Sequence, residues 1–384
     1  MATTKYQILA EALREEILSG KLANNDKLCT EKELMEQYSV SRQTVRHAIS
    51  ILEEEGYVRS RQGSGTFVLP RRRTIVNNSK QIALILTYIS DYIFPSIIRG
   101  IESVLTQKGY TLLLKATGNS MDQERDILTG LLESPPCALI VDGNKTALPN
   151  PNLSYYRQLQ AMGIPIIFIH ATYPELTDIP KIAVSDKQGG HMAVDYLASK
   201  GHSKIAGIFK CTDFQGIQRF NGFLEGMVAN HLSFSDKNLI WFQDNDQLQI
   251  LLESKKSLRY FDDCTSVVCY NDQVASNVIQ FLVHNGYRVP EDISVISFDD
   301  SSLAQYSHPN LTSFAHPKEK LGTVAANTII QMIEGESATS ICFPWELSER
   351  DSVVTLVQEQ SKAHSKTLCC VPFSHDLRLS RRLD

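Results

Sequence analysis

From residue 81 onward the chain alternates short, unbroken apolar runs with segments of helical period, and this alternation narrows the possible folds more than any other feature. The apolar runs fall at 82–87 (Ile-Ala-Leu-Ile-Leu-Thr), 111–115, 138–141 (Ala-Leu-Ile-Val), 165–169 (Pro-Ile-Ile-Phe-Ile), 204–209, 266–270 and 293–298. Helices are expected between them, near 95–108, 121–133, 153–162, 187–200, 216–230, 247–259, 272–285 and 317–334. A strand that is apolar at every position has both faces covered, as in a parallel sheet between helix layers. A stretch of about 280 residues exceeds one comfortable core, so two α/β lobes are expected. In such sheets ligands bind beyond the carboxyl ends of the strands, so the residues that follow each strand are the ones to inspect.

The first 70 residues read differently. Ile8, Leu9, Ala12, Leu13, Glu16 and Ile17 follow a helical period over 4–19, and Gly20 ends it. Thr30-Glu31-Lys32-Glu33 is a capping box that opens a helix carrying Leu34, Met35 and Tyr38. Ser39-Val40-Ser41 is a turn, Ser41 caps the next helix, and that helix runs to Glu55 before Gly56. Its start exposes Arg42, Gln43, Thr44 and Arg46, while Val45, Ile49 and Leu52 lie on the opposite face. An apolar underside below exposed Arg, Gln and Thr suits insertion into a DNA major groove. Residues 57–61 and 66–69 then alternate as strands around Gln62-Gly63-Ser64-Gly65, where glycine permits a tight hairpin.

These patterns divide the chain into a winged helix-turn-helix at 1–70, mostly α with a β-hairpin wing, and a linker at 71–80. A two-lobed α/β domain follows at 81–357, with a tail of no assigned role at 358–384. Net charge over 384 residues is −5, so DNA affinity must come from a local patch. Arg42, Arg46, Arg59, Arg61, Arg71, Arg72 and Arg73 supply one, set against Glu53, Glu54 and Glu55. The alternative is a solvated face in which Arg42 and Arg46 only pair with Glu53 and its neighbours. The start of the chain has no apolar signal region, and no run approaches the ~18–20 residues that span a bilayer, so the expected site of action is the cytoplasm, with no membrane partner. The eight cysteines are scattered and form no ligand set with histidine; buried free thiols are expected. There is no Gly-x-Ser-x-Gly elbow, metal set or placed carboxylate pair, so neither enzyme activity nor a cofactor is expected.

The text of residues 5–69 resembles the winged helix-turn-helix of the GntR family. The matching runs include Thr30-Glu31-Lys32-Glu33-Leu34, Val40-Ser41-Arg42-Gln43-Thr44-Val45-Arg46, Leu52-Glu53-Glu54-Glu55-Gly56-Tyr57-Val58 and Gln62-Gly63-Ser64-Gly65-Thr66-Phe67-Val68. Cys29 stands where the family usually has proline. The resemblance implies that Arg42 and Arg46 contact guanine edges or phosphates, that Thr44 binds phosphate, and that Gln43 faces a base. It also implies that Glu31 or Lys32 approaches DNA from the preceding helix, and that Gln62 and Gly63 place the wing tip in the minor groove.

Residues 81–355 resemble the LacI/GalR-type effector domain, itself similar to periplasmic sugar-binding proteins. The runs that carry this are Phe94-Pro95-Ser96-Ile97-Ile98-Arg99-Gly100-Ile101-Glu102, Arg219-Phe220-Asn221-Gly222-Phe223, Tyr270-Asn271-Asp272-Gln273-Val274-Ala275 and Val289-Pro290-Glu291-Asp292-Ile293-Ser294-Val295-Ile296-Ser297-Phe298-Asp299-Asp300. The resemblance makes Phe94 a stacking aromatic with Asp91 in the same loop. It makes Arg219, Asn271 and Asp299 hydrogen-bonding partners of sugar hydroxyls. His170 and His316 fall at polar contact positions, and Asp142 and Lys145 are further candidates in the cleft. Structural alternatives stand beside these: Phe94 and His170 as packing residues, Asp186 as a helix N-cap, Asp272 and Asp300 as framework. Joined in this order, the two parts look like the arabinose-responsive repressors of Gram-positive bacteria. That implies a dimeric repressor on double-stranded operator DNA, released by a small sugar, with L-arabinose as effector. The alternatives are another pentose or hexose, or a DNA binder that the ligand activates.

Overall fold

The computed structural model describes residues 5–18, 21–22, 26–61, 64–68, 80–89 and 92–356. The first part holds α1 (Lys5–Leu18), α2 (Glu31–Tyr38), α3 (Arg42–Glu54), β1 (Val58–Arg61) and β2 (Gly65–Val68). Leu9, Leu13, Ile17, Leu34, Val45, Ala48, Leu52, Val58 and Val68 form its core, so one face of each helix closes on the hairpin. Ile8, expected on the buried face of α1, is exposed instead, because Leu9, Leu13 and Ile17 define the stripe. The capping box forms: Glu33 Oε2 accepts from the Thr30 amide at 2.7 Å and Thr30 Oγ1 accepts from the Glu33 amide at 3.3 Å. Ser41 Oγ accepts from the Thr44 amide at 3.2 Å and caps α3. Gln62, Gly63 and Asp91 lie outside the described residues, as do Gly20, most of the linker and the tail.

The next elements are β3 (Gln81–Leu86), α4 (Phe94–Gln107), β4 (Thr111–Ala116), α5 (Met121–Glu133), β5 (Ala138–Asp142), α6 (Leu153–Ala161), β6 (Ile166–Ile169) and β7 (Lys181–Val184). They are followed by α7 (Asp186–Ser199), β8 (Ile205–Lys210), α8 (Phe214–Ala229), β9 (Leu239–Phe242), α9 (Asn245–Glu253), β10 (Ser266–Cys269) and α10 (Asp272–His284). The last are β11 (Ser294–Asp299), α11 (Ser302–Tyr306), β12 (Thr312–Ala315), α12 (Lys318–Ile333), β13 (Ile341–Phe343) and β14 (Glu346–Ser348). Two six-stranded sheets result, in the orders β13-β7-β6-β5-β3-β4 and β14-β12-β11-β10-β8-β9. All pairs are parallel except the edge pair β12–β14. The two-lobed α/β architecture with parallel sheets is therefore as expected. The expected helix at 247–259 instead breaks at Glu253 into a 3-10 turn over Lys255–Phe261.

The chain passes between lobes three times: from β7 into α7, from β12 into α12, and from β13 into β14. Each crossing places a side chain beside the cleft: Asp186, His316 and Trp345. One helix pair in each lobe packs at backbone distance. A methyl group on Gly222 of α8 would lie 1.8 Å from the Lys187 carbonyl oxygen of α7, and one on Gly322 of α12 would lie 2.3 Å from the Ile97 carbonyl of α4. Only glycine allows such an approach. Among the cysteines, Cys264 and Cys269 are buried as expected, but Cys29 and Cys342 are exposed. No helix of the described residues is long and apolar enough to cross a membrane.

Candidate functional site

The reading helix α3 carries its arginines on the solvent side. Arg42 and Arg46 side chains are 66% and 63% exposed, and both donate to one carboxylate: Arg42 Nε to Glu31 Oε2 at 2.6 Å, Arg46 Nε to Glu31 Oε1 at 2.9 Å. Their partner is thus Glu31 of α2, not Glu53 and its neighbours. The hydrogen bonds from Arg42 and then Arg46 hold the Glu31 carboxyl below its ordinary range. One carboxylate thus bridges the two arginines through a single charge-assisted hydrogen bond to each. Gln43 and Lys32 are exposed, and the Thr44 hydroxyl lies 2.9 Å from that of Ser41. These side chains share one solvent-facing surface formed by α2 and the start of α3.

In the sensor, contacts join Phe94, Asp142, His170, His316, Arg219 and Asp299 of the candidates into one cluster between the lobes, with Trp345 linking His316 to Arg219. Arg219 of α8 is the centre: it is among the largest fully buried side chains. Its Nε donates to Asp186 Oδ1 at 2.9 Å, its Nη1 to the Tyr270 carbonyl at 2.5 Å, and its Nη2 lies 3.7 Å from Asp299 Oδ1. The rings of Phe298, Tyr270 and Trp345 surround the guanidinium at 4.6, 5.0 and 5.2 Å. Planar stacking and two carboxylates hold an arginine in a place where a lone charge would be costly. Burial drives the Asp186 carboxyl up to about 6 although the charge of Arg219 opposes it. Asp186 is the first residue of α7, with Ser185 in the capping position. The N-cap expectation for Asp186 is therefore corrected: its carboxylate turns away from the helix to meet Arg219.

On the first lobe, Asp142 ends β5 and accepts from Thr87 Oγ1 at 2.7 Å and from His170 Nδ1 at 2.9 Å. A carboxylate only accepts, so the Nδ1 proton is fixed and Nε2 of His170 points onward. Among the described residues that nitrogen is buried with no partner, as are both ring nitrogens of His316, the indole nitrogen of Trp345 and both side-chain polar atoms of Asn144. His170 and His316 rings lie 5.2 Å apart, His316 and Trp345 5.8 Å, and Phe94 and His170 6.4 Å. A continuous path runs from Phe94 through His170, His316 and Trp345 to Arg219 and Asp299, joining both lobes. Burial, then the charges of His170, Lys318 and Arg219, push His316 well below the ordinary imidazole range, so it is neutral.

Several residues along the cleft have left-handed backbone: His170 (φ 63°), Asp299 (φ 99°), Asp300 (φ 44°) and Lys145 (φ 48°). Such positions cost about 1–3 kcal/mol each and concentrate at functional sites. The remaining candidates divide. Asn271 caps α10, its Oδ1 accepting from the Val274 amide at 2.9 Å, which leaves its Nδ2 and the second lone pair of that oxygen for a ligand. Lys145 is half-buried, and among the described residues its side chain pairs with no other candidate. Asp272 is framework: it accepts from Ser297, Ser313 and Ser301 hydroxyls at 2.5, 2.6 and 2.8 Å. Asp300 is held by Arg350 at 2.7 Å and Ser348 at 2.9 Å. Sequence reasoning missed Trp345, Tyr270, Asn144 and Lys210, whose ammonium sits 3.2 Å from Asp213. Lys210 closes β8 and was open to the strand-end rule; Trp345 lies in a crossover that has no period to betray it.

Comparison with known proteins fits this architecture. The family described as bacterial regulatory proteins, gntR family, matches residues 5–68, and the periplasmic binding protein-like domain family matches residues 194–353. The arabinose metabolism transcriptional repressor of Geobacillus stearothermophilus is 37% identical over 88% of this chain and 93% of its own length. That of Halalkalibacterium halodurans is 38% identical over 87% of this chain and 90% of its own. Among solved structures, a LacI transcriptional regulator from Alkaliphilus metalliredigens complexed with D-xylulofuranose aligns with TM-score 0.63 and 26% identity, covering 72% of this chain and 100% of that one. The transcription regulator CcpA of Lactococcus lactis shares the fold at TM-score 0.64 and 22% identity, covering 72% of this chain and 99% of that one. A DNA-reading head, a ligand cleft between two lobes and this likeness along most of the sequence together make the chain a sugar-responsive transcriptional repressor that belongs to the arabinose metabolism transcriptional repressor family.

Proposed function

We propose that this repressor binds its operator as a homodimer in the cytoplasm and that L-arabinose, held between the lobes, releases it. The observation that carries the ligand reading is the set of buried polar atoms near Arg219 that have no partner among the described residues: His170 Nε2, both His316 nitrogens and Trp345 Nε1. Leaving a buried donor or acceptor unpaired costs about 1–3 kcal/mol. A small molecule with several hydroxyls, seated against Phe94 and Trp345, would satisfy them together with Arg219, Asn271 and Asp299. Charge argues for a neutral sugar over a sugar phosphate. Arg219 already faces Asp186 and Asp299, and Lys210 faces Asp213, so neither offers an uncompensated charge to a phosphate.

For DNA, Arg42 and Arg46 on α3 take base edges or backbone, Thr44 a phosphate, and Glu31, Lys32 and Gln43 flank them. On binding, Arg42 and Arg46 exchange Glu31 for DNA. Self-association is supported by exposed apolar side chains on three neighbouring helices: Ile250 on α9, Val283 on α10, and Leu303 and Tyr306 on α11. Another pentose is a second reading, since the structural neighbour from Alkaliphilus metalliredigens holds D-xylulofuranose. Calorimetric titration with L-arabinose, D-xylose, D-ribose and D-galactose separates them. Heat of binding for L-arabinose at micromolar to millimolar concentration, absent for the others, is expected; heat for another sugar alone would replace the effector.

A further inference from the structure

Three consecutive carbonyls at the end of β11 are taken by donors from the other lobe. The Tyr92 hydroxyl donates to the Phe298 carbonyl at 3.3 Å. Lys318 Nζ donates to the carbonyls of Asp299 at 2.5 Å and Asp300 at 2.9 Å. Tyr92 precedes α4 and packs on the first lobe's core, and Lys318 opens α12, whose Leu321, Ala325 and Ile329 belong to that same core. Phe298, Asp299 and Asp300 belong to the second lobe. The Tyr92 oxygen also accepts from the Asp272 amide at 3.0 Å, so it ties the start of α10 to the same point.

The turn being held is strained, with Asp299 at φ 99° and Asp300 at φ 44°. It also aims the Asp299 carboxylate at Arg219. The Lys318 ammonium is half-buried, yet it donates to backbone oxygens in place of a carboxylate, so its role is tied to the path of the chain at this turn. Burial lowers its pKa, with Asp299 and Asp300 opposing. Burial and the nearby carboxylates of Asp299 and Asp272 raise that of Tyr92, so the phenol keeps its proton as a donor.

We propose that Tyr92 and Lys318 form a clamp between the lobes that acts without ligand and sets the sugar concentration at which the operator is released. The proposal rests on the sugar-sensing reading above, and both are positioning residues that need not touch the sugar. A ligand that binds the closed form has its apparent affinity reduced by the fraction of molecules that are closed. Removing a clamp donor lowers that fraction. The midpoint of release then moves to higher sugar while the full extent of release is kept.

The test uses the full chain with Lys318→Met, Lys318→Arg and Tyr92→Phe. Loss of a charge-assisted hydrogen bond predicts a midpoint about tenfold higher for Lys318→Met and a smaller rise for Tyr92→Phe. Lys318→Arg, which keeps a donor, stays near the wild-type midpoint. Without sugar, amide hydrogen exchange quickens at Asp272 in Tyr92→Phe, and at Asp300 and Ser301 in Lys318→Met. Wild-type midpoints and wild-type exchange in both variants would overturn the clamp. A shifted midpoint with unchanged exchange would also overturn it, because the side chains would then be acting on the sugar itself. If no sugar releases the wild-type protein, the sensing reading falls, and the sugar-free exchange alone decides the clamp: faster exchange supports it and unchanged exchange refutes it.

Discussion

Arg219 Nε donates to Asp186 Oδ1 at 2.9 Å, and Asp186 stands at the first of the three crossings between lobes. Arg219 is therefore anchored to one crossing, and lies 5.2 Å from the ring of Trp345 in another. A ligand that moves this guanidinium moves the segments that join the lobes. This is a contiguous physical link between site and hinge, of the kind that coupling between binding sites requires.

Lys318 and Tyr92 aside, the largest single loss should come at Arg219. Arg219→Met leaves Asp186 and Asp299 facing each other in a buried site. Breaking a buried pair costs about 3–5 kcal/mol, lessened here because Asp186 titrates near 6 and can take up a proton. The expected outcome is a lower unfolding midpoint in urea and no calorimetric sugar signal. Unchanged sugar affinity would remove Arg219 from the site.

The pH response of His316 has a definite sign. Its imidazole is held neutral by burial, well below the ordinary value of 6.5. The unfolded chain therefore binds more protons than the native one as pH falls below 6.5, and this contribution to stability is lost on acidification. His316→Gln has no such group. Between pH 7 and pH 5 the wild type should lose stability relative to the variant, by at most about 1.4 kcal/mol per pH unit. Asp186 and Asp272, both raised to about 6 by burial, act in the opposite sense between about pH 4 and 6 in both proteins, and cancel in the difference. Parallel urea midpoints of the two proteins across that range would contradict the buried neutral imidazole.

The reading helix predicts a salt signature. Arg42→Ala and Arg46→Ala each remove an exposed cation from α3. If the contact is to phosphate, the slope of log affinity against log salt falls by about 1; if to guanine, about 1–3 kcal/mol of discrimination at one base pair is lost. Anisotropy titrations on operator and scrambled DNA at several salt concentrations distinguish the two. Neither effect in either variant would take α3 off the DNA.

Close helix packing predicts intolerance at Gly222. The added methyl of Gly222→Ala meets the Lys187 carbonyl at 1.8 Å, where backbone must give way. Overpacking of this kind costs about 1–3 kcal/mol or more. Urea unfolding should show that loss, whereas Gly286→Ala, with open space around the added atom, should cost less and only through its φ of +89°.

Much of this was legible in the sequence because it rests on local pattern. The capping box at Thr30, the Ser41 cap and the unbroken apolar strands are each specified by neighbours along the chain. Strands such as β7 (Lys-Ile-Ala-Val) and β12 (Thr-Ser-Phe-Ala) were not, because four residues with polar members carry no period. The cleft was partly legible: Arg219, Asp299 and His170 follow from the family likeness and strand ends. The role of Asp186 came out differently from expectation, and the cap made by Asn271 was not read from the sequence, for one reason. A polar residue at a helix start can cap the helix or turn away from it, and only the tertiary partner decides. Asp186 has Arg219 as its partner; Asn271 has the Val274 amide. Tyr92, Trp345 and Lys318 act across lobes, a relation that no stretch of sequence contains.

The most direct test of the account is a fluorescence-anisotropy titration of the full chain on its own upstream promoter DNA, at fixed salt, with and without L-arabinose. The account predicts tight binding without sugar and release by L-arabinose at micromolar to millimolar levels, unmatched by xylose, ribose or galactose. Binding that no concentration of L-arabinose disturbs would contradict it.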